Sequence, residues 1–251
     1  MWHQIWLHGF IQPIYNILIL AYHPFHDLGA AIIVVTFVIR LILYPLFNRQ
    51  MRAQKDMADL QKDIKHLQTK HKEDAKRMQA EMMNLYRDRG VSPFDGCLPL
   101  LIQMPIYFAL YQVFRLYLTP DSFSLIYSFL PRPDSISPIA FGFLNLTKID
   151  FYVLPYITGF SQFFFSHLMN LNARSINPAK NEEKTPEQKQ MEMMQKSTTY
   201  FLPFFFVLIS FSLPAAIVLY FFASNVFSII QYYIFIKKSP KIKINKVHGK
   251  K

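Results

Sequence analysis

Five polar side chains stand inside long apolar runs of this chain: Arg40, Gln103, Gln162, Asn225 and Gln231. Their chemistry is binding rather than bond-making. An arginine stays protonated, so Arg40 does not suit proton relay. It does suit attraction of an acidic group, and removal from water strengthens that attraction. An arginine well inside a spanning helix costs ~2.5 kcal/mol or more unless it meets water or a partner. No apolar run carries a central Asp or Glu to pair with it. Two readings follow: Arg40 snorkels to the near interface, or it sits in water held within the bilayer. Each amide alone fits a helix–helix hydrogen bond. Together with the arginine they permit a hydrated concavity. No Gly-rich phosphate loop, histidine–glutamate metal motif or Gly-x-Ser-x-Gly elbow is present, so no enzyme, metal site or cofactor is expected.

These side chains require membrane-spanning helices to position them. The chain has 251 residues, 52% of them hydrophobic and clustered in long runs, with 25 Phe and 14 Tyr. That composition marks a membrane protein. The lone cysteine, Cys97, excludes an internal disulfide. The first residues lack a basic n-region, so no cleavable signal peptide is expected.

Residues 1–27 are apolar but interrupted by Trp, His and Pro, and read as an interfacial helix. The competing reading is a sixth span. The first span is expected over 28–48, opened by Asp27 as an N-cap and ended or kinked by Pro45. Residues 49–92 hold eleven Lys/Arg and seven Asp/Glu and belong in water. Met57, Leu60, Ile64 and Leu67 follow helical spacing, as do Met78, Met82 and Leu85. A polar cluster at 69–74 separates the stripes, which predicts an antiparallel hairpin whose narrow apolar faces cover each other. Further spans are expected over 94–118, 151–169, 197–213 and 215–236. They are joined by a loop at 119–150, a polar loop at 170–196 and a tight turn at Leu213-Pro214. A basic tail occupies 237–251.

Five spans place the hairpin, the second polar loop and the tail on one face. These hold eleven, five and seven Lys/Arg, 23 of the 27 in the chain. That bias assigns them to the cytoplasm, giving N-out, C-in topology. The tail lysines, Lys237, Lys238, Lys241, Lys243 and Lys246 among them, could bind anionic lipid at ~1 kcal/mol each or RNA phosphates through counterion release. The lipid reading is the simpler one, since any inner-leaflet tail is basic.

Three motifs point to a family. Ile39-Arg-Leu-Ile-Leu-Tyr-Pro-Leu46 precedes the charged hairpin. Gly96-Cys-Leu-Pro-Leu-Leu-Ile-Gln-Met-Pro-Ile-Tyr-Phe-Ala-Leu-Tyr111 follows it. Leu213-Pro-Ala-Ala-Ile-Val-Leu-Tyr220 comes later, with Ser224-Asn225 and Ile229-Ile-Gln231. In order and spacing the chain resembles the YidC/Oxa membrane protein insertases. Pro13-Ile-Tyr-Asn-Ile-Leu18 is similar to the interfacial helix that precedes their first core span. The large periplasmic domain of Gram-negative members has no counterpart among these residues.

The resemblance implies an all-α membrane protein in which five transmembrane helices enclose a hydrophilic groove, with a cytoplasmic helical hairpin and an N-terminal interfacial helix. It implies a bacterial inner (plasma) membrane location and an insertase and chaperone role without nucleotide hydrolysis. Arg40 would attract acidic residues in the translocated tail of a client, and Gln103, Gln162, Asn225 and Gln231 would line the groove. The client would slide along the third and fifth spans, past Phe163 and Phe221, the latter standing where the family often has Trp. The implied partners are nascent membrane proteins, the ribosome through the basic tail, anionic lipids and, optionally, the Sec translocon, but not DNA. The alternative function is a small transporter or channel with Arg40 as an anion site. It would need a continuous pore or inverted repeats, and no internal repeat is evident.

Overall fold

The computed structural model describes residues 2–71, 74–90, 98–116, 120–150, 152–176 and 200–238. The described chain is mainly helical. Its first helical stretch starts with α1 (Trp2–Trp6), passes through a π-turn (Leu7–Ile11) and continues as α2 (Gln12–Phe25). The π-turn has a local cause. Pro13 has no N–H to give the Gly9 carbonyl, and the Gln12 N–H reaches five residues back to Leu7 O. Gln4–Phe25 is long and apolar enough to cross a membrane, as is Ala215–Lys237. A third candidate is the pair Leu28–Ile42 and Tyr44–Ala53, bent by 64° at its break.

That bend shapes the protein. Helix α3 (Leu28–Ile42) opens with Asp27, whose Oδ1 accepts from the Ala30 N–H at 2.9 Å. Its buried residues Leu28, Ala31, Ile32 and Val35 recur every three or four positions, the spacing of one helix face. The helix stops at Leu43, two residues before Pro45, which cannot supply the next backbone donor. Helix α4 (Tyr44–Lys70) then runs unbroken from the last turn of the expected first span to the far end of the polar hairpin arm. The end of the expected first span and the hairpin arm thus share one helix, where the sequence suggested a boundary at residue 48.

Helix α5 (Ala75–Asp88) returns along α4, capped by Asp74, which accepts from the Arg77 N–H at 3.0 Å. Leu60, Ile64 and Tyr86 form a small core edged by Met82 and Leu85. Burial raises the Tyr86 phenol above its ordinary pKa, which keeps the ring neutral in that core. Asp63 and Arg89 pair at 2.7 Å across the hairpin.

Helix α6 (Leu98–Leu116) carries Pro105 inside it. After a short 3-10 turn (Pro120–Leu125), two-residue strands β1 (Ile139–Ala140) and β2 (Leu144–Asn145) pair antiparallel, the one departure from an all-α chain among the described residues. Phe141 and Gly142 turn between them with positive φ. The hairpin lies so close to α3 that a Cβ on Gly29 would come within 2.7 Å of Ala140 and the Phe141 ring.

Helix α7 (Leu154–Ile176) is seven residues longer at its C-terminal end than the span expected over 151–169. Residues 170–176 are polar yet contain no Gly or Pro, so nothing stops the helix once it leaves an apolar environment. The rest of the expected polar loop, 177–196, lies outside the described residues. A nine-residue helix, α8 (Leu202–Ser210), and α9 (Ala215–Lys238) flank the tight turn at 211–214. The first free N–H groups of α9 are taken by the 119–150 loop: Ala215 N donates to Lys148 O at 2.8 Å and Ala216 N to Leu146 O at 3.0 Å. Helix α9 is the centre of the bundle. It packs on α7, α3 and α6, and its residues Ala215 to Tyr220 are all buried.

Candidate functional site: a held arginine

The site is built on α9. Tyr220, Ser224, Ser228 and Gln231 recur at intervals of four, four and three, which aligns them on one face. Arg40 reaches that face from the last turn of α3. Its Nε donates to Ser224 Oγ at 3.0 Å, and its Nη2 donates to the same oxygen. The guanidinium turns inward, onto the tenth residue of α9, rather than outward along α3. Phe47, from the first turn of α4, lays its ring over Arg40, with 4.3 Å from Cζ to the ring centroid. The 64° bend at Leu43 makes that contact possible, since it folds α4 back toward the end of α3.

A third helix completes the cluster. From α6, Gln103 Nε2 donates to the buried Tyr220 hydroxyl at 2.8 Å. Tyr220 stands one turn before Ser224, near both that hydroxyl and the guanidinium. Two turns beyond Ser224 along α9, Gln231 Nε2 donates to Tyr44 O at 3.3 Å and to Asn48 Oδ1 at 3.1 Å. Gln231 therefore pins the start of α4, and with it Phe47. Among the described residues no carboxylate lies within ion-pair distance of Arg40.

The other expected site residues lie elsewhere. Asn225 is turned about 100° from Ser224 around α9 and faces α7. Its Nδ2 donates to Ser161 Oγ at 3.0 Å and to Thr158 O at 3.5 Å. Ser161 in turn donates to Thr158 O at 2.7 Å. This knot is buried, and it joins two helices without touching Arg40. Gln162 is half-buried on α7, and no hydrogen bond ties it to the cluster. Phe163 stacks on His167, with ring centroids 5.8 Å apart, and contacts Tyr200. Phe221 is half-buried between Tyr107 of α6 and Phe206 of α8. Lys237 is exposed at the end of α9 and Lys238 is its last residue; Lys241, Lys243 and Lys246 lie outside the described residues.

Sequence reading missed Ser224, Tyr220 and Phe47 as partners of the arginine. The four-residue spacing of Tyr220, Ser224 and Ser228 in an apolar helix was the available signal. Phe47 gave none, because its approach depends on the bend.

A family model for the 60Kd inner membrane protein matches residues 20–242. The chain belongs to the YidC/Oxa family. Among its relatives, the membrane protein insertase YidC of Magnetococcus marinus is 34% identical over 234 residues, covering 93% of this chain and 36% of that protein. The insertase YidC of Fusobacterium nucleatum is 32% identical, covering 84% of this chain and 87% of the relative. Membrane protein insertase YidC 2 of Bacillus anthracis is 31% identical over 251 residues, covering 98% and 86%. The chain spans 36–39% of the length of the first four relatives and most of the length of the two shorter ones. Membership in this family agrees with the long apolar helices and makes the chain an integral membrane protein.

Proposed function

We propose that this chain is a membrane protein insertase and chaperone of the bacterial plasma membrane. Five spans, N-out and C-in, enclose a hydrated groove, and Arg40 attracts acidic residues in the translocated tail of a client. The observation that carries this reading is the Arg40 guanidinium, drawn inside the bundle by Ser224 with no carboxylate partner among the described residues. A half-buried cation held by neutral groups retains its attraction for an anion, and low local dielectric strengthens it. Gln103 and Gln231 belong to the same polar face of the groove, whereas Asn225 belongs to the packing behind it.

The client's apolar segment moves into lipid past α7 and α9, where Phe163 and Phe221 lie. The work comes from apolar area leaving water, ~25 cal/mol per Å², and from the membrane potential, ~2.3 kcal/mol per charge per 100 mV. No nucleotide is needed. The α4–α5 hairpin receives clients on the cytoplasmic side, and the tail beyond Lys237 contacts the ribosome or anionic lipid.

The test is reconstitution in vesicles with two single-span clients that differ only in tail charge. Arg40→Ala should lower insertion of the acidic-tail client and spare the neutral one. An acidic-to-neutral insertion ratio unchanged from the parent would refute the groove role. Removing residues 237–251 should weaken ribosome co-sedimentation in a salt-sensitive way. Unchanged co-sedimentation at low salt would leave lipid as the tail's partner.

A further inference from the structure

A guanidinium has five N–H donors in a planar fork. Ser224 Oγ accepts from two nitrogens on one edge, Nε and Nη2. The face of the Phe47 ring lies against the guanidinium, its centroid 4.3 Å from Cζ. What remains is the opposite edge, formed by Nη1 and the second Nη2 hydrogen, and no acceptor among the described residues occupies it. That edge is the one that meets a carboxylate with two parallel hydrogen bonds. Ser224 is itself held in place: it sits one turn from Tyr220, whose hydroxyl is fixed by Gln103. Phe47 is held in turn by Gln231 through Tyr44 and Asn48.

We propose that Ser224, backed by Tyr220 and Gln103, is a positioning residue that clamps Arg40 by its Nε edge and so presents the Nη1/Nη2 edge as a two-pronged receptor for a client carboxylate. The identity of the ligand rests on the insertase reading above; the clamp does not. Without the Ser224 hydroxyl the side chain keeps its charge but loses its direction. A free arginine in a hydrated groove attracts any anion weakly and is less selective for one arriving along the groove. Preorganisation makes the difference, since the clamped group has less freedom to lose when a carboxylate binds.

The experiment compares Ser224→Thr, which keeps the hydroxyl, with Ser224→Val, which has nearly the same shape without it. Two readouts are taken on the full chain. The first is hydrogen exchange at Arg40 Nε by NMR of protein labelled with 15N-arginine, the signal being assigned by its absence in Arg40→Lys. Exchange should be slow in the parent and in the Thr variant, and about tenfold faster in the Val variant, as for loss of a charged hydrogen bond. The second is insertion of the acidic-tail and neutral-tail clients into phosphatidylcholine vesicles, which offer no anionic headgroup to compete. The preference for the acidic tail should survive in the Thr variant and fall several-fold in the Val variant. In an Arg40→Ala background the Val substitution should add nothing.

Equal exchange in the two variants overturns the clamp. Unequal exchange with equal client preference overturns its positioning role. A Val defect that persists in the Arg40→Ala background also overturns it, because Ser224 would then act on something other than the arginine. If Arg40→Ala keeps the parent's preference for the acidic tail while the exchange contrast remains, the client reading has failed and the receptor role with it, but not the hydrogen bond.

Discussion

Two faces of α9 carry polar groups one residue apart, and they differ in how fully those groups are used. On the α7 side, Asn225, Ser161 and Thr158 hydrogen-bond one another in a buried knot. On the α3 side, Ser224 satisfies one edge of Arg40 and the Phe47 ring lies against the cation, and its other edge meets no acceptor among the described residues. A polar group inside a membrane protein is ordinarily glue between helices. A charge left with donors in excess is not good glue, because desolvation without a full set of partners costs stability. The contrast lies in the partners: on the α7 face the polar groups bond one another, and on the α3 face Arg40 keeps donors in reserve.

The largest expected effect is on the open face. Arg40→Met should lower acidic-tail insertion by about tenfold, the scale of a lost charged hydrogen bond, and should leave thermal unfolding in detergent unchanged or slightly higher. A clear fall in melting temperature would place Arg40 with the structural groups and erase the contrast. The α7 side should respond in the opposite way. Gly159 on α7 lies so close to α8 that a Cβ there would collide with the Val207 side chain. Gly159→Leu should therefore destabilise the protein by ~1–3 kcal/mol through overpacking, and insertion of both clients should fall together. If the variant melts like the parent, the α7–α8 contact is looser than its geometry requires.

Asn225→Ala should be milder, ~0.6 kcal/mol, as for interhelical hydrogen bonds in membrane proteins generally. Its effect on the two clients should be equal; a selective loss for the acidic tail would move Asn225 to the open face. Smallest of all is Arg89→Ala in the hairpin. Its pair with Asp63 is half-exposed, 54% and 44%, and such pairs contribute ~0.2–1 kcal/mol. Added salt should remove most of the difference between this variant and the parent, measured by exchange of the hairpin amides. The hairpin's small apolar cluster of Leu60, Ile64 and Tyr86 should carry more of its stability than the ion pair does.

The sequence was legible where a property is local. Pro45 announced the break after α3, Asp27 its cap, and the polar cluster at 69–74 the hairpin turn. The outer loop was legible only as a loop. Its backbone carbonyls at Leu146 and Lys148 receive the first N–H groups of α9, and Asn16, buried in α2, donates to Leu125 O at 3.0 Å and accepts from the Tyr127 N–H at 2.7 Å. Such pairings join residues 67 to 111 positions apart and involve main-chain atoms, which every residue type carries alike. They leave no mark on composition or spacing.

The chain alone therefore determined that an unpaired arginine would stand in an apolar run, that a charged helical hairpin would follow it, and that amides would be scattered over several spans. Tertiary structure decided which of those amides stand with the arginine and which merely hold helices together. The physical reason is rotation. A step of one residue turns a helix by about 100°, so Ser224 and Asn225 look to different neighbours. The neighbour each one meets is set by how α3, α6 and α7 pack around α9, and by a bend two residues ahead of a proline.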